Sequence, residues 1–239
     1  MPIYQDSKYP VSDPLAAVHA SQLGQLGAPG TWGTGAQRIA IAQEARQAGF
    51  DAGVLEAPTD AGERSEARFP QAALDFVRKL AVSPKDISKD DYDAVRRGGL
   101  GDAEYVEIVG IVSRITSVDV FARGIGVPLR PLPEAQPGQP SRDRPEAAKQ
   151  ELAWVPTIPN PPEGGALADE LYRGKPIPYI IRGMSLVPDE VRRHVELEEA
   201  QYLPLERIPQ LDYEPDDGLT RAQIELVAGR VSAINECFF

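Results

Sequence analysis

Apolar residues recur along this chain at helical spacing, and no region sustains the alternation of period two that marks a strand. Ala73, Phe76, Val77 and Leu80 fall at i, i+3, i+4 and i+7 and predict an amphipathic helix that Pro84 ends. Ser88 stands three residues before Asp91, close to a capping box, and Tyr92 and Val95 carry the next helix to Gly98 and Gly99. Asp102 is placed to cap a third, which runs through Val106, Ile108, Val109 and Val112 as far as Gly124 or Gly126. An Ala-, Gln- and Arg-rich stretch over Gly35 to Gln47 predicts a further helix, and residues 49–69 read as loop.

Punctuation divides the pattern. Residues 127–165 hold ten of the 23 prolines and predict an extended connection between two helical halves, 34–126 and 166–239, with Trp154 anchoring it to a helical surface. Residues 1–33, with irregular apolar spacing, read as an extended N-terminal arm. Beyond the connection, Ala166–Arg173 reads as a short helix. Pro188 opens another that carries Val191, Val195 and Tyr202. The last helix has the clearest signature: Thr220 and Gln223 form a T-x-x-Q capping box, and Ile224, Val227, Ala228, Val231 and Ile234 follow at helical spacing. The fold class is all-α.

Two of these helices echo each other. Aligned without gaps, Glu107 matches Glu225, Val109 matches Val227, Phe121 matches Phe239, and Asp119 falls opposite Cys237. In both, twelve residues separate the Glu from the later position. Along a straight helix that is about 18 Å, so Glu225 reaches Cys237 only if the helix breaks and the chain turns. Asn235 suits such a break. Cys237 would then enter the first turn of a following helix, where free N–H groups and the helix dipole favour a thiolate.

Composition removes several classes of function. The formal net charge is −11 and no basic run exceeds two residues, which argues against nucleic acid and anionic membranes as partners. No apolar run reaches the length of a membrane span, and Met1–Asp6 does not begin a secretory signal, so the expected compartment is the cytoplasm. The single cysteine agrees with a reducing compartment. No metal-ligand cluster, phosphate-binding loop or local Ser/His/Asp motif stands out, so no cofactor or metal is expected. His19 and His194 read as surface residues, the Glu196, Glu198 and Glu199 run as a solvated helix face, and Glu107 as structural.

The residues Glu225-Leu226-Val227-Ala228, then Val231-Ser232-Ala233-Ile234-Asn235 and Cys237, resemble the approach to the active site in the alkylhydroperoxidase D-like and carboxymuconolactone decarboxylase superfamily. The resemblance is specific over residues 219–239 and weaker over 100–133, where Tyr105–Gly110 looks like a degenerate copy. It implies an all-helical homo-oligomer whose two thiols reduce a hydroperoxide or a partner disulfide while a Glu and a His relay protons, with a thiol reductant or redox protein as partner. Glu225 would be the relay Glu and Cys237 the first Cys of C-x-x-C. The second Cys and the His would fall at positions 240 and 244, beyond the last residue here. The expectation is therefore a chain cut before the end of its redox motif, with position 240 a selenocysteine encoded by UGA. Two other readings stay open: a relative of the decarboxylases without thiol chemistry, binding a small lactone or acid in a pocket with basic or His side chains, and a non-catalytic helical oligomer or fragment.

Overall fold

The computed structural model describes residues 3–58, 64–215 and 218–237. Among these the chain forms nine α-helices and one short 3-10 turn at Pro84–Asp86, with no strand. The nine are α1 (Asp13–Gly24), α2 (Gly35–Asp51), α3 (Gln71–Val82), α4 (Lys89–Arg97), α5 (Asp102–Gly124), α6 (Gly165–Tyr172), α7 (Tyr179–Arg182), α8 (Pro188–Gln201) and α9 (Arg221–Ile234). The all-α reading holds.

The central element is α5. It packs against α1, α2, α3, α4 and α8, and most of its side chains are buried. It can be buried nearly all round because its sequence is apolar nearly all round. Val106, Ile108, Ile111, Val112, Ile115 and Val118 are each at most 2% exposed. Its first turn is fixed by Glu104, whose carboxylate accepts the Gly101 N–H at 2.6 Å. The cap therefore sits at Gly101, and the Asp102 expected there is the first helical residue. The stripe expected on α3 is buried as Ala73, Phe76 and Val77, and Phe76 stacks on Tyr105 of α5 with ring centroids 4.7 Å apart. The capping pairs at Ser88/Asp91, Thr34/Gln37 and Thr220/Gln223 all form.

Residues 127–164 contain no helix, as their prolines dictate, and they lie on the helices. Val155 and Ile158 enter the same core as α2, α5 and α8, so this core draws on both sides of the Pro-rich connection. Trp154 is 40% exposed but lies against Tyr92 of α4, at 6.2 Å between ring centroids.

The extended arm expected over residues 1–33 is corrected by α1. Of the apolar residues of this helix only Leu23 is fully buried, and polar anchors hold it as well. His19, expected on the surface, is fully buried: Nδ1 lies 2.7 Å from the Tyr4 hydroxyl and Nε2 lies 2.9 Å from Gln201 Nε2 on α8. Gln22 donates to the Arg193 carbonyl and to Glu196, both on α8. The α8 acidic run is thereby only partly a solvated face, since Glu196 serves α1 and Glu199 pairs with Arg173.

Candidate functional site

The helix that carries Glu225 and leads to Cys237, α9, stands apart from the bundle. It makes no packing contact with another helix. Its anchor is Arg221, whose guanidinium donates to the carbonyls of Arg207, Ile208 and Gln210 at 3.1, 2.8 and 3.0 Å. Glu225 Oε1 accepts the Tyr202 hydroxyl at 2.8 Å and Arg221 Nε at 2.6 Å. The Tyr202 hydrogen bond first, and Arg221 second, hold its carboxyl below the ordinary Glu range. Four apolar residues of α9 face solvent, Leu226 at 74% exposed, Val227 62%, Ile234 61% and Val231 52%, while Ile224 and Ala228 are half-buried.

The structure does not bring Glu225 and Cys237 together. The helix runs unbroken to Ile234, and nine residues of it put about 14 Å between Glu225 and its end. The turn expected near Asn235 is present. Glu236 takes a left-handed φ of 50° and the Cys237 N–H returns to the Ser232 carbonyl at 3.0 Å, closing the helix C-terminus. Cys237 is free, exposed and beyond that closure. Among the described residues it lies in no helix N-terminus, and Phe239 and the alignment that ends on it lie outside them.

The echoed acids on α5 are buried and paired. Asp119, opposite Cys237 in the alignment, accepts Arg46 Nε and Nη2 at 2.8 Å each. Burial pushes its carboxyl up against the opposing pull of Arg46. Glu107, opposite Glu225, is 2% exposed. It accepts Arg38 Nη1 on one oxygen and the backbone N–H groups of Trp32 and Gly33 on the other. These partners anchor Glu107 in the interior, in keeping with its reading as structural.

Around Glu107 lies a network that sequence reasoning missed. Arg38 of α2 pairs with Glu107 and approaches Glu190 of α8 at 3.9 Å, and Arg114 of α5 pairs with Glu190 at 2.9 Å. Two cations and two anions balance, and all four side chains are at most 3% exposed. Burial pushes Glu190 up and brings Arg114 down to about 10, both toward neutrality. Two glycines make room. A Cβ on Gly110 would collide with the Glu190 carboxylate, and one on Gly30 with the Glu107–Arg38 pair. A signal for this was present: Arg38 continues the apolar series Ile41, Ala42 and Ala45 of α2, and Glu107 continues Ile111 and Val118 of α5, so each charge sits on a core-facing row.

Beside the Glu107–Arg38 pair a shallow cleft lies between α2 and α5, with about 30 Å³ of room for water-sized contents. Glu107 and Trp32 line it with Gln37, Glu104 and an apolar wall that includes Phe69, Leu100 and Ile108. The indole Nε1–H of Trp32 is shut from solvent and has no hydrogen-bond partner. Among the described residues no group of His, Cys, Asp and Glu is arranged to hold a metal ion, and no helix is long and apolar enough to cross a membrane.

No family model, curated protein or solved structure matches this chain.

Proposed function

We propose that the chain is a thiol-dependent redox protein of the alkylhydroperoxidase-like type, a peroxidase or disulfide oxidoreductase acting on hydroperoxides, with Cys237 as its nucleophile. The observation that supports it is the position of Cys237: exposed, at the end of a helix whose apolar face is open and whose Glu225 is held as a carboxylate. The thiolate sulfur attacks one oxygen of the hydroperoxide and the O–O bond breaks. The alcohol leaves with a proton, and the sulfur becomes a sulfenic acid. A second thiol condenses with the sulfenic acid and releases water, and a further thiol reduces the disulfide so formed.

Within one chain Glu225 lies too far from Cys237 to exchange a proton with it. In a homo-oligomer a second copy would have to meet Cys237 through the Glu225 side of α9, because Val227, Val231 and Ile234 lie on the opposite side of the helix. Glu225, ionised and anchored, would then accept the thiol proton.

The test is trapping of the sulfenic acid. One equivalent of tert-butyl hydroperoxide followed by dimedone should label Cys237 faster than free cysteine reacts, and Glu225→Gln should slow the labelling. A rate no faster than free cysteine would sink the proposal.

A further inference from the structure

Among the described residues, α9 is fastened to the protein near its two ends and packs on no other helix between them. At its start, Arg221 donates to three carbonyls and Glu225 accepts the Tyr202 hydroxyl. Past its end, Glu236 Oε1 accepts Lys85 Nζ at 2.6 Å. Lys85 lies in the 3-10 turn Pro84–Asp86 between α3 and α4, 151 positions from Glu236 along the chain. That hydrogen bond first, and the charge of Glu236 second, hold the Lys85 ammonium above the ordinary Lys range. The two fastenings differ in kind. Arg221 is 5% exposed, so its hydrogen bonds are shielded. The Lys85 and Glu236 side chains are 39% and 69% exposed, so water and salt screen their attraction. The first fastening is a pivot and the second a latch.

The latch acts on the thiol. Glu236 directly precedes Cys237, and the Cys237 N–H closes the turn on the Ser232 carbonyl at 3.0 Å. A turn closed in this way moves as one piece, so holding Glu236 also holds Cys237. We propose that Lys85 is a positioning residue for Cys237: its pair with Glu236 docks the turn that carries the thiol at the α3–α4 junction, and loss of the pair frees that end of α9 to swing about Arg221. The purpose of the docking rests on the redox reading, but the docking itself does not. Docked, the thiol meets hydroperoxide and reductant at one place on the surface. Freed, it samples solvent all round and reacts as an unconstrained cysteine does.

The single cysteine takes a nitroxide label at position 237 without any mutation. In a ¹⁵N-labelled sample at low salt the label should broaden the amide resonances of Lys85, Asp86 and Ile87. Lys85→Glu sets a third acid beside Asp86 and Glu236 and should lower the docked-to-free ratio by up to about fivefold, the worth of an exposed pair. Salt at about 1 M should lower it in the wild type as well. Lys85→Glu combined with Glu236→Lys rebuilds the pair with its charges exchanged and should restore the broadening. Dimedone trapping of Cys237 after tert-butyl hydroperoxide should slow in Lys85→Glu and recover in the exchanged pair. The proposal is overturned if the wild type shows no broadening at residues 85–87, if Lys85→Glu broadens them equally, if the exchanged pair fails to restore what Lys85→Glu loses, or if Lys85→Glu undocks the turn and traps as fast as the wild type. Broadening that follows the pair, with wild-type trapping no faster than free cysteine, would uphold the docking and sink the redox reading alone.

Discussion

Arg46 and Asp119 meet in a two-pronged ion pair, Nε to Oδ2 and Nη2 to Oδ1, both at 2.8 Å. Arg46 also donates to the Arg130 carbonyl at 2.8 Å, so one guanidinium ties α2 to α5 and to the start of the Pro-rich connection. Asp119 occupies the place that Cys237 holds in the aligned helix, and it is spent on packing. Arg46→Met should leave a buried carboxylate with no cation and cost about 3–5 kcal/mol in urea unfolding. A loss under 1 kcal/mol would mean that Asp119 is free for other work.

The two aligned helices respond oppositely to the same substitution. Gly110→Ala on α5 drives a methyl group into the Glu190 carboxylate and disturbs its pair with Arg114, at a cost of about 2–4 kcal/mol. Gly229→Ala on α9 meets nothing within 4 Å and should raise the helix propensity of that segment, by up to about 1 kcal/mol. Thermal melts and circular dichroism of the two variants check both directions.

His19 makes stability fall in acid. Burial brings its pKa from 6.5 to about 4. Between those values the unfolded chain binds the proton and the folded one does not, so stability rises with pH across that window. Its contribution is complete above pH 6.5 and is lost as pH falls toward 4, about 3 kcal/mol over the window. Urea midpoints from pH 4 to pH 7 should show this slope, and His19→Gln should flatten it. An unchanged slope in the variant would assign the effect elsewhere.

Arg221 should hold α9 and little else. Arg221→Ala removes the hydrogen bonds to three carbonyls and the bridge to Glu225. Since α9 packs on no other helix, the expected result is faster amide exchange over 221–234 with the main melting transition nearly unmoved. A fall in the main transition matching the loss of α9 protection would show that α9 folds with the bundle.

Where helices lie was legible because the signals are local. The boxes at Ser88 and Thr220, Pro84 and Pro188, and the stripe Ala73–Leu80 each act within a turn or two of chain, through a cap, a missing N–H or a side-chain row. The Pro-rich connection is legible for the same reason. What α1 does is not, because its hold on the protein comes from Tyr4, Arg193, Glu196 and Gln201, three of them more than 170 residues away.

Which of these charges pair with one another was out of reach for that reason too. Arg38, Glu107, Arg114 and Glu190 come from three helices, and each alone reads as an unremarkable polar residue on an apolar row. Sequence by itself determined the helical class, the capping boxes at Ser88 and Thr220, the proline breaks and the net acidity, since propensity, turn chemistry and hydrophobic period are properties of neighbouring residues. Only the tertiary structure decided that the α5 acids are buried and neutralised while the α9 apolar face is bare. Burial and pairing depend on which helices meet, and the hydrophobic period on α5 and α9 is nearly the same whether a helix finds a partner or not.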